Sequence, residues 1–257
     1  MSALARKNST VAKRVVIVGA ASGIGLACAR RAVAEGAHVA LLDRDADGLA
    51  QAVTELGKQA LACTVDVIDG EALRTALMSA VKELGGLDSL MYCAGIDLEA
   101  PLAALDTASW DRSLAVNLTG PMLAVQSTLP ALRDAGQSTV VIVTSAAAIL
   151  PVAGRSGYCA AKAGATMLAK ALAMELAPDG IRVNAICPGA VDTPLLRLSW
   201  ETKPDPDAAL AAIAQRYALK RIASANEIAA AVWWLSSDES SYVTGVALAV
   251  DGGRTFH

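Results

Sequence analysis

The chain has 257 residues, of which 54% are apolar and 18% charged, which excludes extended disorder and leaves length for one large α/β core. Its 22 Lys and Arg against 25 Asp and Glu give a net charge of −3, an argument against a broad nucleic-acid footprint. Mean hydropathy is high at +0.43, but the two longest uncharged stretches, 113–132 and 135–154, are broken by Gly, Pro, Asn, Gln, Ser and Thr, so no membrane partner is expected.

In chain order, residues 1–12 read as a polar, basic tail without an apolar signal core, so secretion is not expected and a cytoplasmic location is. Residues 15–18 form a β-branched strand run, followed by helix 23–35. Strand 39–43, helix 45–56, strand 61–67 and helix 70–84 repeat the alternation. Further strands are expected at 90–94, 139–144, 182–186 and 246–250, with helical patterns between them. This rhythm implies a Rossmann-type doubly wound parallel sheet of about seven strands, with helices on both faces, in one domain over 13–257. Strands covered on both faces account for the hydropathy, and ligands on such sheets bind at the strands' carboxyl ends. Residues 194–221, with Pro204-Asp205-Pro206-Asp207, interrupt the rhythm and read either as a lid over a site or as a surface helical hairpin. Cys28, Cys63, Cys93, Cys159 and Cys187 are odd in number and widely spaced, which points to bystander thiols in a reducing compartment; no metal site is expected.

Gly19-Ala20-Ala21-Ser22-Gly23-Ile24-Gly25 follows the first strand and opens the first helix. Missing side chains permit a tight turn and a close approach, and the helix start offers free N–H groups to a pyrophosphate. A glycine-rich turn without a ligand is the alternative. Asp43 ends the second strand, where a carboxylate accepts hydrogen bonds from a ribose diol and repels a 2′-phosphate. This favours NAD(H), although Arg44 beside it keeps NADP(H) open. Asp66 reads either as an adenine contact or as a turn or helix-capping residue.

Tyr158-Cys159-Ala160-Ala161-Lys162 places Tyr158 and Lys162 on one helix face. A phenol titrates near 10, and bringing it to about 7 requires about 4 kcal/mol, for which a neighbouring ammonium and an oxidised nicotinamide ring are suitable sources. Ser145, just past the fifth strand, can hold a substrate oxygen beside the phenol.

From about Lys13 to Gly253 the sequence resembles the short-chain dehydrogenase/reductase family. The resemblance implies Tyr158 as general acid/base, Lys162 lowering its pKa and holding the nicotinamide ribose, and Ser145 orienting the substrate oxygen. Asn117, in Asn-Leu-Thr-Gly, corresponds to a helix asparagine that positions a water in a proton relay. Asp66-Val67 matches the adenine contact. Cys93-Ala94-Gly95 and Pro188-Gly189 match further cofactor contacts, and the Val191 backbone and Thr193 hydroxyl would meet the carboxamide. Subunit contacts, commonly a homotetramer, are also implied.

Two positions depart from the family pattern. Val18 stands where Thr precedes the first glycine, and Tyr92-Cys93 where the family has Asn-Asn. Removing both partners of a buried polar contact can be nearly neutral, so the departures are expected to compensate. The expected substrate walls, Ala146, Ala147, Ile149, Pro151 and Val152 with Leu195, Leu196, Leu198 and Trp200, are apolar. With only Arg155 and Arg197 available as carboxylate clamps, an uncharged, fairly hydrophobic secondary alcohol or ketone is expected. The alternative for the four leucine and tryptophan positions is packing of the insert onto the body.

Overall fold

The run Arg14–Val18 alternates its side chains between two apolar layers, and this alternation organises the molecule. Val15 and Ile17 pack with one core cluster, Val16 and Val18 with the other. The computed structural model describes residues 12–201 and 203–256. The tail expected over 1–12 therefore lies, apart from Ala12, outside the described residues.

The elements are β1 (Arg14–Val18), α1 (Gly23–Ala34), β2 (His38–Asp43), α2 (Ala46–Leu56), β3 (Ala60–Thr64), α3 (Gly70–Leu84), β4 (Ser89–Tyr92), α4 (Thr107–Leu114), α5 (Gly120–Asp134), β5 (Ser138–Val143) and α6 (Ser156–Leu176). They continue with β6 (Ile181–Pro188), β7 (Val191–Asp192), α7 (Pro194–Glu201), α8 (Pro206–Ala214), β8 (Ala223–Ser224), α9 (Ala225–Ser236) and β9 (Ala247–Val250). Seven strands form one parallel sheet in the order β3-β2-β1-β4-β5-β6-β9. Strand order reverses between β1 and β4, which opens a crevice at their carboxyl ends. Helices α3, α5 and α6 cover one face, and α1, α2 and α9 the other.

The glycine turn is sterically enforced. Gly19 has φ +82°, and a Cβ there would collide with the Ala94 backbone. The Gly19 and Ala20 N–H groups donate to the Leu42 carbonyl at 2.7 and 3.2 Å.

Several boundaries differ from those expected of the sequence. The third strand stops at Thr64 rather than at residue 67, because Asp66 forms a turn: its Oδ1 accepts the Ile68 N–H at 3.1 Å and its carbonyl the Asp69 N–H at 3.1 Å. Asp45 caps α2 rather than joining it, accepting from Gly48 N at 3.0 Å. The two-residue strands β7 and β8 were not expected; they pair with each other and tie together the two ends of the 194–221 insert.

The least regular segment lies between α4 and α5. Residues Ala115–Thr119 form a π-helical turn. Pro121 has no N–H, so it cannot donate to the Val116 carbonyl five residues earlier. The buried Tyr92 hydroxyl donates to that carbonyl instead, at 2.8 Å. Gly120 passes so close that a Cβ would strike the phenol oxygen. Tyr92, one of the two departures from the family pattern, thus braces the turn carrying Asn117. Val18, the other, is fully buried among apolar neighbours. The Cys93 thiol hydrogen-bonds the Cys28 thiol of α1, which with burial pushes the Cys28 pKa up.

Replacing Tyr92 by Phe leaves the Val116 carbonyl without its donor. The expected loss is about 1–3 kcal/mol of stability, measured by urea denaturation; an unchanged unfolding free energy would show that the hydroxyl braces nothing.

Candidate active site

Three chain segments meet at the carboxyl end of β5. Ser145 follows the strand and caps a short turn, its Oγ accepting the Ala147 N–H at 3.0 Å. Tyr158 and Lys162 sit one turn apart on α6. The Lys162 ammonium is buried, donates to the Val143 carbonyl at 3.2 Å, and lies 5.8 Å from the centre of the Tyr158 ring. Asn117 comes from the π-helical turn rather than a regular helix. Its Nδ2 donates to the Ile96 carbonyl at 3.0 Å and to Ser113 Oγ at 3.3 Å, and its Oδ1 accepts the Ile96 N–H at 3.2 Å. These bonds press the loop after β4 onto the site. A Cβ at Gly95 would lie 3.1 Å from both Asn117 Oδ1 and Lys162 Nζ.

Burial dominates the electrostatics. It pushes the Tyr158 phenol up to about 12, against the lowering effect of its hydrogen bond with Ser145; Asp97 raises it further and Arg155 lowers it. Burial pushes Lys162 down to about 8, against the opposing pull of Cys93, Asp97 and Cys187. Asp97 itself is pushed up, mainly by burial, and its Oδ1 is buried without a hydrogen-bond partner. Arg155, which precedes α6, pairs with Asp97 and, at 2.8 Å, with Glu99. The Ala100 N–H also donates to the Gly154 carbonyl at 2.8 Å, so the loop after β4 is tied to the start of α6.

Ser145, Tyr158 and Lys162 line one cavity of about 520 Å³ together with Ile24, Cys93, Gly95, Pro188, Gly189, Val191 and Thr193. The remaining expected cofactor contacts lie beyond its wall, around the ends of β1, β2, β3 and β4: Gly19, Ser22, Gly23, Gly25, Asp43, Asp66, Val67 and Ala94. Asp43 accepts Ala21 N at 3.0 Å and Asp45 N at 3.1 Å, which fixes its carboxylate beside the glycine turn. Val67 is buried in the core and Asp66 is exposed. Ser22 at the start of α1 makes no capping bond, leaving the first-turn N–H groups without a side-chain acceptor. This open helix start behind a glycine turn that brooks no Cβ, with Asp43 alongside, fits a dinucleotide's phosphates and ribose.

Among the expected substrate walls, Ala146, Ala147, Val152, Leu195 and Leu196 line the cavity, whereas Ile149, Pro151, Leu198 and Trp200 do not. Arg197 is paired with Asp192 at 2.6 Å and lies off the wall. Sequence reasoning missed Lys203, Arg216, Tyr217 and Arg254, which also line the cavity. The end of the insert packs on the C-terminal turn, a contact between distant segments that no local pattern signals.

A family model described as enoyl-(acyl carrier protein) reductase matches residues 19–255. The chain belongs to the short-chain dehydrogenase/reductase family. It is 40% identical to a cis-4-hydroxycyclohexanecarboxylate dehydrogenase of Sinomonas cyclohexanicum, over 95% of this chain and 97% of the relative. It is 38% identical to 3beta-hydroxysteroid dehydrogenase 1 of Eggerthella lenta, over 95% of this chain and 94% of the relative. A crystal structure of a variant actinorhodin polyketide ketoreductase with NADPH superposes with a TM-score of 0.92 at 31% identity, covering 96% of this chain and 98% of that one. The protein is thus an NAD(P)-dependent oxidoreductase acting on alcohols or ketones. Among the described residues no helix is long and apolar enough to cross a membrane.

The lowered Lys162 pKa has a consequence for stability. Between pH 8 and 10 the folded chain holds less of this proton than the unfolded chain, whose lysine titrates near 10.5, so stability rises with pH in that window. Without cofactor, wild-type stability should therefore climb more steeply from pH 8 to 10 than that of Lys162→Met, followed by urea denaturation; equal slopes would contradict a buried, charged Lys162.

Proposed function

We propose that the chain catalyses reversible hydride transfer between NAD(H) and a secondary alcohol or ketone, with Tyr158 as the general acid/base. The observation that carries this reading is the meeting of Tyr158, Ser145 and buried Lys162 on one cavity wall. In the oxidation direction the Ser145 hydroxyl orients the substrate oxygen and the Tyr158 phenolate takes its proton. The cofactor, when bound, supplies the carbon that accepts or donates the hydride. The Lys162 ammonium stabilises the phenolate and holds the nicotinamide ribose, while Asn117 keeps a relay water in reach. The Val191 backbone and Thr193 hydroxyl hold the carboxamide. The burial that pushes Tyr158 up to about 12 must be offset in the working enzyme, for which a second positive charge beside Lys162, that of an oxidised nicotinamide ring, is suited.

NAD(H) is the proposed cofactor. Asp43 lies at the end of β2, its carboxylate fixed by two backbone N–H groups, and there it repels a 2′-phosphate. Arg44 is exposed beside it and leaves NADP(H) as the second reading. The segment 194–221 acts as a lid hinged on the β7–β8 pair. Its Leu195 and Leu196, with Ala146, Ala147 and Val152, give an apolar wall around the reacting end of the substrate. Such a wall suits a hydroxylated carbocycle, the class named for both relatives. Five free cysteines suit a reducing, cytoplasmic location. Exposed Met167 and Met174 on α6 offer apolar area for a homotetramer.

Tyr158→Phe should abolish alcohol-dependent NADH formation while NADH binding, followed by fluorescence, persists; retained turnover would remove Tyr158 from the chemistry. Comparing kcat/KM for NADH and NADPH should favour NADH, and a clear preference for NADPH would defeat the role given to Asp43.

A further inference from the structure

The cavity carries two sets of charges with different fates. Asp97 and Glu99 on its lining are both held by Arg155, so this set is internally paired. A second set, Lys203, Arg216 and Arg254, lines it from the α7–α8 connection, the residues after α8 and the C-terminal turn. None of the three forms an ion pair among the described residues. Glu201, Asp205 and Asp207 flank Lys203 in sequence but do not line the cavity, and Asp205 caps α8 through the Ala208 N–H at 3.0 Å. Asp251 is turned into its own loop, accepting Gly253 N and Thr255 N at 2.9 Å and the Thr255 hydroxyl at 2.7 Å.

The two arginines are set on a rigid platform. Tyr217 packs so close to Gly189 that a Cβ there would lie 2.7 Å from its ring, and its hydroxyl accepts the Ala190 N–H at 2.8 Å. The Leu219 N–H donates to the Gly252 carbonyl at 3.1 Å, joining the end of the insert to the C-terminal turn. Arg254 and Arg216 both bear on the Tyr217 phenol: burial pushes its pKa up, the Ala190 N–H and then these two guanidinium groups pull it back, and Asp251 raises it slightly. Arg216 and Arg254 meet at Tyr217 and Lys203 lines the same cavity, none of them in an ion pair among the described residues, so a bound anion relieves repulsion among like charges. Guanidinium forks match the paired oxygens of a carboxylate or sulfonate.

We propose that the Lys203, Arg216 and Arg254 lining is an anion subsite, and that the substrate bears a carboxylate or sulfonate apart from its reacting hydroxyl. The inference rests on the assignment of this cavity to the alcohol or ketone substrate. It gives that substrate an apolar reacting end and a charged group apart from it, where the sequence suggested no charge at all. A cofactor phosphate has the same anionic chemistry, but the open start of α1 already provides for it.

The test is calorimetric and needs no turnover. Cyclohexanecarboxylate and its neutral counterpart cyclohexanecarboxamide are titrated into the NADH-saturated protein and into the Lys203→Gln/Arg216→Gln/Arg254→Gln variant. Partly exposed charge pairs are individually weak, so the carboxylate should bind wild type about five- to thirtyfold more tightly than the amide. The triple variant should bind the two alike, with NADH affinity and melting temperature close to wild type. Equal binding of acid and amide by wild type would overturn the proposal, as would a preference that survives in the variant. A matching loss of NADH affinity in the variant would also overturn it, by assigning the cations to the cofactor's phosphates. Failure of the hydride-transfer reading is seen separately, as absent alcohol-dependent NADH formation by wild type.

Discussion

The site depends on one ammonium held charged in a largely buried place on the cavity wall. Lys162 is buried on α6, one turn from Tyr158, with the Val143 carbonyl as its hydrogen-bond acceptor. Burial opposes both charges that the proposed chemistry needs, lowering Lys162 to about 8 and raising Tyr158 to about 12. Neither side chain alone favours phenolate near neutrality. In the proposed mechanism each is a partial remedy for the other, since ionising the phenol gives the ammonium a counter-charge. Asp97 takes the opposite part at Tyr158, where its negative charge raises the pKa, while at Lys162 it favours the charged form. Arg155 tempers it by pairing with its carboxylate.

Much of the surrounding architecture holds that arrangement in place. The π-helical turn brings Asn117 against the loop after β4, and Gly95 lets that loop pass over Lys162. Pro121 leaves the Val116 carbonyl short of a donor, and Tyr92 supplies one from the next layer. A departure from the family pattern at residue 92 is thus joined to the position of a residue near the chemistry. On the other side, the β7–β8 pair and the Tyr217 contact with Gly189 and Ala190 fix the insert to the loop after β6.

The sheet was legible because its central strands are buried on both faces and its strands are separated by helices with clear stop signals, such as Gly85 after α3. The turn at 19–25, Asp43, and the Tyr158–Lys162 spacing were legible because each follows from local geometry: a strand end, a glycine demand, a helical repeat. The π-helical turn was not, since its irregularity comes from a proline and a phenol 29 residues apart in sequence. The strand expected to run to residue 67 ends at Thr64, and of the alternatives open for Asp66 its side chain forms the turn. Arg155 was read as a possible clamp, but its tertiary carboxylate partners lie 58 and 56 residues away. Lys203, Arg216 and Arg254 escaped notice because only the folded insert and C-terminal turn bring them to one cavity.

The central claim is that Tyr158 ionises because positive charge is held beside it. The direct measurement is an ultraviolet difference titration of tyrosinate in the NAD⁺-saturated protein and in Lys162→Met, with Tyr158→Phe identifying the signal. The account predicts one tyrosine, absent in Tyr158→Phe, ionising well below the ordinary value of 10, and returning above it in Lys162→Met. No tyrosine ionising below 10 in the wild-type complex, or a titration indifferent to Lys162, would contradict it.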